Sequence, residues 1–363
     1  MKLNEQLKML ALAMMLPAAF AACDDNENPE DTPEGFYVKK GVYVYNSGNQ
    51  GSAIEGSLSV LEPETGKVTA NAFTAVNARS LGNTVQDGTV LGRNLYIAVF
   101  ESNTIEVADK NTLLSVAQIK PAQPEGQPRD IVTDGKYLYA SLYTGSVARI
   151  DPATNTIDKT VKVGPNPEEM AVVGNYLYVT NSDGNNYANN YANGKTVSKV
   201  NLTTFTEEKK ISVGLNPTKI AADQSGKLFV LCMGNYGDTP ASIWAIDAQD
   251  QAADWQKPAT LMAADGNTLY TINAPYGGSV EYTAYDTRSG SVEKQGFVAT
   301  PVDSPAGIAV NPQNGNLFIS SYTLVDGFAS YNTPGYVNEY TPDGTLVKRY
   351  DAGVGPCYMS FLN

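Results

Sequence analysis

A triplet of leucine, an aromatic residue and a small or aliphatic residue returns along this chain at intervals that call for a repeat architecture. It stands at Leu95-Tyr96-Ile97, Leu138-Tyr139-Ala140, Leu177-Tyr178-Val179, Leu228-Phe229-Val230, Leu269-Tyr270-Thr271 and Leu317-Phe318-Ile319, with Val42-Tyr43-Val44 as a looser seventh copy. A second mark, Pro-x-x-aliphatic, opens the units at Pro128/Ile131, Pro167/Met170, Pro217/Ile220, Pro258/Leu261 and Pro305/Ile308. The unit from Gln127 to Gly164 is the cleanest: β-branched and aromatic runs alternate with turns at Thr133-Asp134-Gly135-Lys136, Tyr143-Thr144-Gly145 and Asp151-Pro152-Ala153-Thr154-Asn155. Such short runs are strands joined by turns. Four strands in roughly 40 to 50 residues is the pattern of a propeller blade.

The ends of the repeat argue for a ring. The first copy, from Gly41, has no opening strand, and the tail Gly355-Pro356-Cys357-Tyr358-Met359 carries that opening element with nothing after it. A linear solenoid needs polar caps, whereas a ring that borrows its missing strand from the C-terminus leaves no sheet edge to protect. The expected fold is all-β, a seven-bladed β-propeller of four-stranded antiparallel blades over residues 36–363, closed by the C-terminal strand.

Composition excludes several classes of function. The chain has no histidine, which removes His-based triads, His-ligated metals and imidazole acid–base chemistry. A net charge of −13, with no basic patch interleaved with aromatics, is wrong for nucleic acid, whose phosphates need clustered Lys and Arg. No Gly-rich loop follows a strand and opens a helix to cradle a phosphate. Asp183 and Asn185 suggest a calcium loop, but the bidentate acid that would complete it is missing; no metal and no cofactor are expected. Glu168-Glu169 and Glu207-Glu208 are neighbours on strands, so each pair should splay to opposite faces and be solvated. Without histidine or a four-carboxylate metal set, a lactonase or lyase activity is disfavoured, and the chain is read as a non-enzyme. Cys232 and Cys357 fall in blades five and one, too far apart to bridge, and should be free thiols.

What remains is one face of the ring. The turns joining first to second strands, such as Asp134-Gly135, Gly174-Asn175 and Asn314-Gly315, are short. The loops joining second to third strands are longer and rich in Tyr, Asn, Ser and Gly. They include Asn46–Gly51 in blade one, Asn181–Gly194 in blade four, Met233–Asp238 in blade five, Asn273–Gly278 in blade six and Ser321–Gly335 in blade seven. Tyrosine supplies rigid area with a polar tip, and asparagine supplies both donor and acceptor. Turn formation accounts for the Gly and some Asn, but not for a Tyr in the same loop of five blades. The candidate ligand-binding residues are Tyr143, Asn181, Asn185, Tyr187, Tyr191, Asn235, Tyr236, Asn273, Tyr276, Tyr322, Phe328 and Tyr331. Arg129 joins them at the inner start of its blade, either to meet an anionic group or to pair with Asp130 or an acid of another blade.

At the N-terminus, Lys2 and Lys8 precede an apolar stretch, Met9 to Phe20, too short to span a bilayer. Ala21-Ala22 then lead to Cys23. Residues 1–22 resemble a bacterial lipoprotein signal peptide, which implies that Cys23 becomes the lipidated first residue. Residues 23–35 read as an acidic flexible tether. Their start, Asp24 to Asp31, is similar to the surface-export signal of gut Bacteroidetes lipoproteins. The Val163-Gly164-Pro165-Asn166-Pro167 and Val213-Gly214-Leu215-Asn216-Pro217 connections, with the Leu-Tyr-Val strands and this start, resemble the YncE-like surface-layer propellers of those bacteria, and among them the BtuG-type lipoproteins. That resemblance implies an outer-membrane, lipid-anchored protein facing the cell exterior. It would bind cobalamin and pass it to a TonB-dependent outer-membrane transporter. The alternative is a glycan-binding lipoprotein of a polysaccharide-uptake system, although only Trp244 and Trp255 are available as sugar platforms.

Overall fold

The computed structural model describes residues 35–362; the expected leader, Cys23 and all of the tether but its last residue lie outside them. Within these residues the chain forms seven four-stranded antiparallel sheets, six of them running in sequence order from axis to rim, and one added two-stranded hairpin. The expected closure is present. The last strand, Pro356–Leu362, pairs with Gly41–Asn46, placing Met359 opposite Val44 and Phe361 opposite Val42.

The alternation of each strand buries one side against the preceding blade and the other against the next. Apolar layers therefore lie between blades. Tyr43, Tyr45 and Leu58 of blade one pack with Leu95 and Ile97 of blade two. The layer that closes the ring sets Phe318, Val337 and Tyr350 of blade seven against Val42, Val44 and Leu61. Among the described residues helix is confined to a six-residue segment, Ala72–Asn77, between blades one and two, and two short 3-10 turns. Among the described residues no helix is long and apolar enough to cross a membrane.

The connections between blades explain the Val-Gly-x-Asn-Pro motif. A Cβ on Gly164 would strike the Asn181 side chain at the end of the neighbouring strand, so only glycine fits there. Asn166 and Asn216, just before the opening prolines, take left-handed backbone conformations, which asparagine tolerates better than most residues. The domain enters at the opposite end of the ring from these connections. Val38 donates its N–H to the carbonyl of Asn111 at 2.9 Å, in the tight turn between the third and fourth strands of blade two.

Candidate functional site

The inner strands share a device that places the axial side chains. At the start of six of the seven, the register against the second strand slips by one residue: between Val85 and Asp87, Pro128 and Asp130, Pro167 and Met170, Pro217 and Lys219, Pro305 and Gly307, and, in blade one, opposite Tyr45/Asn46. A bulge presents two consecutive side chains on one side of the strand. The pairs so presented are Gln86-Asp87, Arg129-Asp130, Glu168-Glu169, Thr218-Lys219, Ala306-Gly307 and Cys357-Tyr358. This corrects the expectation that Glu168 and Glu169 diverge into solvent: both turn inward and both are paired. Blade six has no bulge, and Met262 rather than Leu261 stands opposite the third triplet residue, Thr271. Its Pro258 motif is one residue out of step with the others.

The first members of the pairs meet at the channel mouth. Arg129 binds Glu168 of the next blade through Nε at 2.5 Å and Gln86 of the previous blade through Nη1 at 3.1 Å. Its guanidinium also lies 5.2 Å from the Phe100 ring and 5.4 Å from the Tyr143 ring. Of the two partners expected for Arg129, the acid of another blade is the one observed. Glu168 is buried, and its second oxygen accepts from Ser182 Oγ at 3.2 Å. Burial, then the negative charge of Glu168, pushes the Tyr143 hydroxyl up to about 12.

The second members form a deeper tier. Asp87 accepts Ile131 N–H, Asp130 accepts Met170 N–H at 2.8 Å, and Glu169 accepts Ile220 N–H, each from the following blade. Lys219 binds Glu169 at 2.5 Å and Tyr358 Oη at 3.3 Å. The Asp87 and Asp130 carboxyls interact across neighbouring blades. Burial raises Asp87 to about 6, and burial together with the Asp87 charge raises Asp130 further. Burial and mutual repulsion thus both favour the protonated forms.

Both folded-state values exceed the unfolded one, so between pH 4 and 6 the folded chain holds more protons, and this pair's contribution to stability falls as pH rises through that window. Asp87→Asn removes the Asp87 titration. Its melting temperature relative to wild type should be about 3 °C more favourable at pH 7.5 than at pH 4.5, because about 1.5 pH units of the window, roughly 2 kcal/mol, lie above pH 4.5. Scanning calorimetry at the two pH values checks this; an equal difference at both would sink it.

The sequence-nominated residues divide into three sets. Asn181 is fully buried and committed to the fold: its Oδ1 accepts Gly164 N–H at 3.0 Å and its Nδ2 donates to Thr196 and Ser198. Asn46 does the same in blade one, with Gly353 and Ser59. Neither is free for a ligand. Asn235 braces its own loop, accepting Gly237 and Thr239 N–H and donating to Asp238 at 2.6 Å. A second set is gathered into aromatic pairs. Tyr191 and Tyr236 meet across blades four and five at 6.2 Å, and Tyr322 and Tyr331 meet in blade seven at 4.8 Å. Tyr143 meets Phe100 at 5.4 Å. A third set, Asn185, Tyr187, Tyr276 and Phe328, projects into solvent, while Asn273 is half-buried. The blade-seven loop is itself a hairpin, Leu324–Val325 against Phe328–Ala329, carrying exposed Leu324, Val325 and Phe328.

Gln86, Phe100, Ser182 and Glu168 were not nominated from sequence. The signal for Glu168 was present: the two unspecified positions of Pro-x-x-aliphatic are the bulge pair. Both thiols are free, Cys232 buried and Cys357 half-buried beside Tyr322 Oη. Among the described residues no group of three or more Cys, Asp and Glu is placed to hold a metal ion.

Solved structures share this ring. A quinonprotein alcohol dehydrogenase-like protein from Bacteroides thetaiotaomicron aligns with TM-score 0.64 at 14% identity, over 90% of this chain and 78% of its own. A protein from Bacteroides uniformis, provisionally named a 6-phosphogluconolactonase, aligns with TM-score 0.63 at 12% identity over 89% of this chain and 100% of its own. A functionally unknown protein from Desulfotomaculum acetoxidans gives TM-score 0.61 at 14% identity, covering 89% and 99%. At these identities the likeness is one of fold alone. No curated protein matches the sequence. Residues 40–353 match the family described as a domain of unknown function, DUF5074.

Proposed function

The chain belongs to the DUF5074 family, and from that premise we propose that it is a binding protein that captures a ligand on its Tyr/Asn loop face and catalyses no reaction. The observation that carries this is the grouping of Tyr143, Tyr191, Tyr236, Tyr322 and Tyr331 on the loops of one face, with Tyr187 and Tyr276 exposed beside them. Rigid aromatic area on loops held by a closed ring binds at small entropic cost.

The ligand we assign is cobalamin, on the resemblance to BtuG-type lipoproteins. A broad, rigid disc with apolar faces and an amide-fringed rim suits tyrosines that stack and asparagines that both donate and accept. In this reading Cys23 carries the lipid at the outer membrane and the protein hands its ligand to a TonB-dependent transporter. The second reading is a glycan, favoured by Tyr276 and Phe328, whose exposed rings have no aromatic neighbour among the described residues. Trp255 packs against Phe229 at 4.6 Å and is no sugar platform.

Titration of residues 24–363 with cyanocobalamin by calorimetry tests the first reading. Tight one-to-one binding is expected; no heat at micromolar protein removes the cobalamin assignment and puts glycans first. Replacing Tyr187 and Tyr191 together with Ala should weaken binding by about 100-fold and leave the melting temperature within about 2 °C, because Tyr187 is exposed and Tyr191 is only half-buried on a surface loop. Wild-type affinity in that variant would move the site away from blade four.

A further inference from the structure

On the rim, away from the axis, a groove of about 510 Å³ runs between the outer strand of blade two, Ser115–Ile119, and that of blade three, Thr156–Lys162. Its origin is the connection 120–127 between these blades, longer than the connection 163–166 that joins blades three and four. That longer connection is fixed in place. Gln127 donates its N–H to Asn103 Oδ1 at 2.8 Å, Gly126 donates to Thr144 Oγ1 at 2.9 Å, and Glu125 accepts from Ser146 and Lys162. It stands as one wall of the groove. The floor is Ile119, Leu142 and Ile157, the outer margin of the apolar layer between the two blades.

We propose that this groove binds an extended acidic peptide, added to blade three as a fifth strand, with aliphatic side chains at alternate positions. Thr156–Lys162 is the edge of its sheet, so one row of its backbone N–H and C=O groups has no strand partner among the described residues. A strand laid along that edge pairs with the row and sends every second side chain over the apolar floor. Lysines on an edge strand ordinarily discourage such pairing. Here Lys162 is held by Glu125, and the groove side of the strand presents Thr156, Ile157 and Thr160. Among the described residues no aromatic ring lines the groove, so sugars and flat ring systems have nothing to stack on. Charge sets the character of the peptide. Glu125 is the only acid lining the groove among the described residues, and Lys162 neutralises it. Lys120 is left exposed and has no ion-pair partner among the described residues. On a chain of net charge −13 this is a local excess of positive charge, complementary to an acidic segment. The groove is separate from the loop face and needs no particular ligand there.

The test pans the protein against a displayed library of random peptides as long as the edge strand, 7 residues, and measures the selected peptides by fluorescence polarisation. Acidic sequences with aliphatic residues at i and i+2 should be enriched. Methylating their backbone nitrogens at alternate positions should abolish binding in one parity and spare it in the other, since a strand turns only every second amide toward its neighbour. Lys120→Glu, an exposed substitution, should weaken the peptides about fivefold, and Ile157→Asp about 10-fold. No enriched peptide would overturn the proposal. So would selected peptides that bind both variants like wild type, or that tolerate methylation in either parity. The methylation series and Lys120→Glu leave the apolar layer untouched, so they decide the matter even if Ile157→Asp folds poorly.

Discussion

Ending the chain at Gly355 should abolish the folded ring. The segment removed pairs along Gly41–Asn46 and supplies Met359, Phe361 and Leu362 to the layers on both sides of blade one. Its backbone bonds and apolar contacts together contribute on the order of 10 kcal/mol, comparable to the whole stability of a typical domain. Blade one would be left with an unpaired inner edge, a template for aggregation. The expected result is insoluble protein, or soluble protein with no cooperative thermal transition by circular dichroism. A truncated chain melting within about 5 °C of the full one would show that closure contributes little.

The second large effect concerns the ion pair at the mouth. Glu168→Gln leaves the Arg129 guanidinium without its 2.5 Å partner, against two aromatic rings. Breaking a buried pair on one side costs about 3–5 kcal/mol; Arg129 keeps some solvent, so about 3 kcal/mol is expected. Arg129→Met strands the buried Glu168 and should cost at least as much. Removing both, as Arg129→Met/Glu168→Leu, should recover most of the loss, because no charge is then left unpaired. Chemical denaturation of the four proteins closes the cycle. Single losses that simply add in the double variant would mean the two side chains act independently.

The ring was legible because its signals are short-range and repeated. The Leu-aromatic triplet marks the second strand of every blade, and Pro356-Cys357-Tyr358-Met359 is an opening element found at the wrong end of the chain, which only closure explains. The axis was less legible. Alternation correctly separates neighbours on a regular strand, but Glu168 and Glu169 sit in a bulge, and one inserted residue is enough to turn both inward. Blade six was misaligned by one residue because Pro258 imitates the motif without the slip that follows it elsewhere. On the loop face, residue type alone did not separate tasks. Asn181 and Asn185 lie in one loop and look alike in sequence, yet one is wired into Gly164, Thr196 and Ser198 and the other is exposed. The difference lies in where the strand ends, a boundary that composition does not mark.

The entry point of the chain carries a consequence for orientation. The strand Gly41–Asn46 starts at the end of the ring where Val38 meets Asn111 and finishes at the loop face. The described chain therefore enters the ring at the end opposite the aromatic loops. Tyr187, Tyr236, Tyr276 and Phe328 stand exposed on those loops, so a ligand reaches them without passing the point of chain entry.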